Sequence, residues 1–138
     1  MCLPTPVRLC FSSSEKLNSA PREEKAHYGL WVRVTDVYDG DTITIATFCR
    51  GRLVRRRCRM SGYDSPEMRG DDKESAIAAR EFLKSILPSG VFRVNVQGLD
   101  KYGRLLIDFK INRRRVCDVM IERGFGYAYD GGKKRTPT

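Results

Sequence analysis

The run Thr42-Ile43-Thr44-Ile45-Ala46-Thr47-Phe48 alternates between Ile and smaller or more polar neighbours. A two-residue period sends successive side chains to opposite faces, which suits a strand and not a helix. Leu30, Val32 and Val34 repeat the pattern upstream, within Leu30 to Val37. Leu53 to Met60 follows a turn at Arg50-Gly51-Arg52, and Val91 to Gln97 and Leu105 to Ile111 also read as strands, separated by a turn over Asp100 to Gly103. The period lengthens after the third strand: Ala76, Ala79, Phe82, Leu83, Ile86 and Leu87 share one face at three- and four-residue spacing. Asp71 with Glu74 has a capping-box pattern at the start of that helix, and Pro88 and Gly90 end it. A short helix from Val116 to Arg123 presents Val116, Val119 and Met120 on one face and stops at Gly124. Three strands, a helix, two strands and a helix predict a mainly β, α+β fold. That order matches a five-stranded OB-type barrel with two flanking helices.

With 138 residues, a single domain is the default. We expect a disordered leader over residues 1–28, a folded domain over 29–130 and a basic tail over 131–138. The net charge of +9 points to polyanions, nucleic acid first and a membrane surface second. The five cysteines, Cys2, Cys10, Cys49, Cys58 and Cys117, form no Cys-x-x-Cys pair, and His27 is the single histidine. That spacing disfavours a zinc site and a disulfide framework, and so favours a reducing, intracellular compartment. Cys58 reads as a small core residue. No apolar run is long enough to span a membrane, and the first thirty residues lack the apolar stretch of a secretory signal.

Three short strings carry the chemistry: Asp39-Gly40-Asp41-Thr42, then Arg59 leading into Asp64-Ser65-Pro66-Glu67, then Asp100-Lys101-Tyr102-Gly103-Arg104. If the second and third strands pair about a turn centred near Gly51, facing residue numbers sum to about 102. Asp41 then lies opposite Ser61, with Asp64 just beyond the strand end. Two carboxylates distant in sequence would share one rim, offering a hard oxygen site suited to Ca²⁺ or Mg²⁺. Glu67 could take a proton from an attacking water. Arg59 and Arg104 could donate paired hydrogen bonds to phosphate oxygens as charge grows on them. Alternation puts Arg55, Arg57 and Arg59 on one face, a strip for a nucleic-acid backbone. Each string also has a plainer reading: Asp-Gly as an ordinary turn, Arg59 as part of a solvated basic strand, Arg104 as a hairpin tip.

Together the strings resemble the staphylococcal (micrococcal) nuclease family, over about Leu30 to Tyr129; Asp100 to Arg104 is the most specific of them. The resemblance implies a nuclease that cuts DNA and RNA with low sequence specificity and leaves a 3′-phosphate and a 5′-hydroxyl. It implies Ca²⁺ held by Asp41, Asp64 and the backbone carbonyl of Ser65, with Asp39 behind them. It gives catalysis to Arg59, Glu67 and Arg104, and contact with a terminal phosphate to Lys101 and Tyr102. Tyr127 or Tyr129 would stack on a base. Ser65 stands where threonine or alanine is more usual, the Met68 to Lys73 loop is short, and a third, C-terminal helix is missing from the pattern. The expected partners are DNA and RNA, preferably single-stranded, bound by a monomer without membrane attachment. A non-catalytic OB-type nucleic-acid-binding module is the alternative. A basic membrane-surface protein has only the charge in its favour, since no basic amphipathic helix is present.

Overall fold

The computed structural model describes residues 27–129. The expected basic tail, the expectation about a third, C-terminal helix and all of the expected leader before His27 lie outside those residues. Five strands close a barrel in the order β1-β2-β3-β6-β5. They are β1 (Tyr28–Val37), β2 (Thr42–Cys49), β3 (Arg52–Met60), β5 (Val91–Leu99) and β6 (Leu105–Asp108). All neighbours are antiparallel except β3 and β6, which run parallel. Among the described residues two helices flank the barrel: α1 (Lys73–Ile86) and α2 (Val116–Glu122). Short pairs add β4 (Tyr63–Asp64) to β9 (Tyr127–Ala128), and β7 (Lys110–Ile111) to β8 (Arg114–Arg115). The expected mainly β, OB-like barrel with two helices is the observed fold.

Alternation fills the barrel. Val32, Ile43, Ile45, Met60, Val94, Val96 and Ile107 are buried on its inner face, and Cys58 joins them as a small core residue. Burial pushes the Cys58 thiol up to about 12, against the pull of Arg56, so it stays neutral and inert there. Helix α1 lays Ala76, Ala79 and Leu83 on the core. Full burial of a leucine such as Leu83 contributes about 1.5–3 kcal/mol. Phe82 and Phe125 stack at 4.6 Å between ring centroids, fixing the segment after α2 to α1.

Several local expectations shift. Strand β1 begins at Tyr28, which pairs with Val96, two residues before Leu30. The cap of α1 is Asp72, whose carboxylate accepts from the Ser75 amide at 3.0 Å, and not Asp71; the helix simply starts one residue later. The stretch Leu105 to Ile111 is not one strand: Phe109 turns inward, 4 % exposed, and the chain leaves the barrel to form β7.

The β2–β3 hairpin matters most for function. Arg50 and Gly51 both adopt positive φ (51° and 75°), so the loop has two residues and closes at Cys49 and Arg52. Its centre lies between Arg50 and Gly51, and facing numbers sum to 101. Thr42 therefore pairs with Arg59. Asp41 faces Met60, whose amide donates to the Asp41 carbonyl at 2.8 Å, and not Ser61. The single-residue shift puts Arg59 beside Thr42 on the outer face and next to the Asp41 carboxylate.

Candidate active site

The barrel's polar interior is concentrated at one rim. Among the described residues, every buried polar or charged residue except Thr47 lies there: Asp39, Asp41, Thr42, Ser61, Asp64 and Ser65. Burying such groups is unfavourable unless each finds partners. The β1–β2 loop supplies the first of them. It is tight, with the Tyr38 amide donating to the Thr42 carbonyl at 3.0 Å, and the Asp41 amide donating to the Asp39 carboxylate at 3.1 Å. Gly40 keeps a negative φ, so turn conformation does not explain it. Space does: a Cβ at this position would stand 2.8 Å from the Ala79 Cβ and 2.9 Å from the Ser65 Cβ and Oγ. The loop is thus pressed between α1 and the chain after β4. Tyr63, wholly buried, donates its hydroxyl to the Gly40 carbonyl at 2.6 Å and holds the loop from below.

Arg59 is the centre of the rim. Its guanidinium reaches Asp41 Oδ2 at 3.0 Å with one nitrogen and Asp64 Oδ1 at 2.8 Å with the other. Its side chain is only 11 % exposed, whereas Arg55, Arg56 and Arg57 on the same strand are exposed. The basic run is therefore not uniform: Arg59 belongs to the site. Asp41 also accepts from the Ser65 amide at 2.8 Å and from the Thr42 hydroxyl at 3.0 Å. Asp64 Oδ2 accepts from the Tyr127 hydroxyl at 3.4 Å, brought in by the β4–β9 pair.

The third string arrives through Thr42. Arg104 donates to the Thr42 hydroxyl at 3.4 Å and, through Nε, to Asp100 Oδ2 at 2.6 Å. Asp100 Oδ1 accepts the amides of Tyr102 and Arg104, each at 2.9 Å. The loop is therefore organised around the Asp100 carboxylate. Burial acts to raise that carboxyl, but the bonds from Arg104 and Tyr102 outweigh it and hold it below its ordinary value. Lys101 and Arg104 both lie over the Tyr102 ring, at 5.1 and 5.4 Å from its centroid, and Tyr102 is 71 % exposed. That makes a cationic, aromatic lip beside the buried acids.

Asp39, Asp41, Arg59, Asp64, Ser65 and Arg104 are thus drawn together, with Lys101 and Tyr102 at the edge. Glu67 is exposed, two residues past Ser65, and its carbonyl accepts the Gly70 amide at 2.9 Å. Sequence reasoning missed the linking role of Thr42, the organising role of Asp100 and the support from Tyr63. Tyr127 presents its hydroxyl to Asp64; Tyr129 donates its amide to the Gly62 carbonyl at 3.1 Å.

Asp41 and Asp64 share the Arg59 guanidinium, Asp39 accepts the Asp41 amide beside them, and Arg104 pairs with Asp100. Burial holds the Asp41 carboxyl above its ordinary value, Arg59 opposes this, and Asp39 adds to it. The Ser65 Oγ is buried without a hydrogen-bond partner. An all-oxygen donor set fits a hard divalent cation. Among the described residues, no group of three or more Asp, Glu, His or Cys side chains is gathered closely enough to hold a metal. The protein would thus offer two carboxylates and main-chain oxygen, and leave other positions to water or phosphate, as is usual for such cations at phosphate-handling sites.

Compared with known proteins, the chain matches no protein-family model and no curated sequence. Function must be argued from the rim itself.

Proposed function

We propose that this chain is a Ca²⁺-dependent phosphodiesterase that hydrolyses DNA and RNA with low sequence specificity and leaves 3′-phosphate ends. The observation that carries the reading is Arg59 spanning Asp41 and Asp64, with Arg104 joined to the same cluster through Thr42. Carboxylates for a cation and guanidiniums for a phosphate are thereby within one hydrogen-bonded unit. The β1–β2 and β5–β6 loops, which carry Asp41 and Arg104, are also the loops by which barrels of this type meet oligonucleotides.

In this reading Asp41, Asp64 and the Ser65 carbonyl hold Ca²⁺, which when bound supplies charge to polarise phosphate and water. Arg59 must open at least one of its ion pairs to face a phosphate, and a cation between Asp41 and Asp64 compensates those acids when it does. Arg104, kept in position by Asp100, donates to a second phosphate oxygen. Glu67, exposed three residues after Asp64, accepts a proton from the attacking water. Lys101 and Tyr102 meet a terminal phosphate at the lip. Base edges have no partner among these groups, which is why specificity would be low.

The test is digestion of single-stranded DNA and RNA by the purified chain, with Ca²⁺ and with a chelator. Cleavage only with Ca²⁺ is expected, and intact nucleic acid in both arms rejects the proposal. Glu67→Gln should reduce turnover by about 10²- to 10⁴-fold while nucleic-acid binding persists; a parallel loss of binding would instead give Glu67 a structural role.

One observation favours a second reading. Arg59 already pairs with both acids, and an ion-paired rim could serve a binding module that does not cut. The same digestion separates the two, since such a module would bind with a steep salt dependence and leave its ligand intact.

A further inference from the structure

Away from the rim, the outer wall of the barrel is unusual in composition. The four strands β5, β1, β2 and β3 contain no lysine and a single carboxylate, Asp36, and by alternation they turn four arginines outward apart from Arg59: Arg33, Arg55, Arg57 and Arg93. The same wall exposes Trp31 (48 %), Phe48 (57 %), Leu53 (65 %) and Val91 (67 %). Single exposed apolar residues need no explanation. These are not single. Phe48 pairs directly with Leu53, Trp31 with Arg93 and Arg33 with Val91. Arg33 also faces Ala46, which faces Arg55, so two arginines flank a small residue across three strands. Continuing that ladder by two residues brings Trp31 beside Phe48, and the Thr47 hydroxyl ties the strands there by donating to the Trp31 carbonyl at 2.8 Å.

The patch is also continuous with the rim. Arg55, Arg57 and Arg59 occupy alternate positions of β3, hence one face, at a spacing of about 6.6 Å. Arg57 lies over the Tyr38 ring at 5.2 Å from its centroid, on the loop that carries Asp39 and Asp41. A planar guanidinium both pairs bidentately with phosphate and stacks flat on rings, a geometry that an ammonium group does not have. Aromatic faces interleaved with arginine suit unpaired bases, whose faces are free to stack.

We infer that this wall is an extended binding surface for single-stranded nucleic acid, with Trp31 and Phe48 as the base-stacking end of an arginine track that leads along β3 to Arg59. The wall stands on its own composition; its continuation into the rim rests on the phosphodiesterase reading. A strand long enough to occupy the rim and the wall together gains contacts that a dinucleotide at the rim cannot make. Length then determines affinity.

Trp31 is the only tryptophan in the chain, so its emission reports on this wall directly. The full chain, in chelator to prevent cleavage, is titrated with a dinucleotide and with an oligothymidylate of about ten nucleotides, within the site sizes usual for such barrels. The longer strand should quench Trp31 and the dinucleotide should not. Phe48→Ala should weaken binding of the longer strand by about tenfold, the usual loss of one stacking platform. Removing Arg33 and Arg55 together should make the salt dependence shallower by about 0.7 per arginine. Binding of the longer strand, followed by anisotropy, with Trp31 emission unmoved overturns the inference. So does a Trp31 response to phosphatidylserine vesicles without one to the oligonucleotide, which would make the wall a membrane surface. Cleavage with Ca²⁺ but no quenching removes the wall and keeps the enzyme; quenching without any cleavage does the reverse.

Discussion

Asp41 and Asp64 with Arg59, and Asp100 with Arg104, are two sets of acid and arginine on the same rim, and they differ in how completely they are satisfied. Asp100 has one arginine to itself and two backbone amides, and its carboxyl is held below the ordinary range. Asp41 shares one arginine with Asp64, has Asp39 beside it, and is held above that range by burial. The first set is a finished structural unit that aims Arg104. The second places two acids on one arginine, the arrangement that the proposed cation would complete. Chemistry should therefore depend on both, whereas stability and cation response should depend mainly on the second.

Removing the arginines separates them most sharply. Arg59→Ala leaves carboxylates buried without their counter-ion and should cost about 3–5 kcal/mol in chelator. Arg104→Ala leaves Asp100 with two amide donors and should cost about 0.5–1.5 kcal/mol. Urea unfolding with and without Ca²⁺ checks both, and added Ca²⁺ should recover part of the Arg59 loss by binding only the folded state. Equal costs for the two variants would remove the distinction. The glycines make a second, smaller contrast. Gly40 is required for space, so Gly40→Ala should destabilise by about 1–3 kcal/mol through overpacking. Gly103 is required for its φ of 78°, with open space around its Cβ position. Asparagine tolerates that region, so Gly103→Asn should stay within about 0.5 kcal/mol of the natural chain. Thermal midpoints that rank these two the other way round would contradict the packing seen at Gly40.

The barrel was legible because Ile43 and Ile45 on β2, and Val94 and Val96 on β5, keep a strict two-residue period, while α1 breaks it once. The shared rim of Asp41 and Asp64 followed from hairpin logic alone. The register did not, because it turns on Arg50 adopting positive φ, which an arginine does not announce. The departure of the chain from the barrel at Phe109 was hidden for a similar reason: an apolar run does not show where its strand ends. Tyr63 with Ala128 and Asp64 with Tyr127 pair through two-residue strands far apart in the chain, too short to carry any periodicity. Thr42 and Asp100 were within the strings that drew attention, but their roles depend on side-chain partners that spacing cannot give. Asp100 did carry one signal, an acid three residues before Gly103 in a turn, which suits a carboxylate that accepts amides ahead of it.

The pH dependence of stability is the finest test, because the two acids should act with opposite signs. Asp100 releases its proton more readily in the folded chain than in the unfolded one. Its contribution is complete above the ordinary carboxylate value and is lost as pH falls through its lowered folded value. Asp41 in chelator does the opposite, since burial first, against Arg59, makes the folded chain hold its proton longer. Its contribution is complete below the ordinary value and is lost as pH rises through the raised one. Denaturation midpoints across the acid range, measured in chelator, should therefore lose part of their fall at low pH in Asp100→Asn. Asp41→Asn should instead flatten the decline on the other side. Profiles that neither substitution alters, or that both alter alike, would mean that burial does not set Asp41 apart from Asp100.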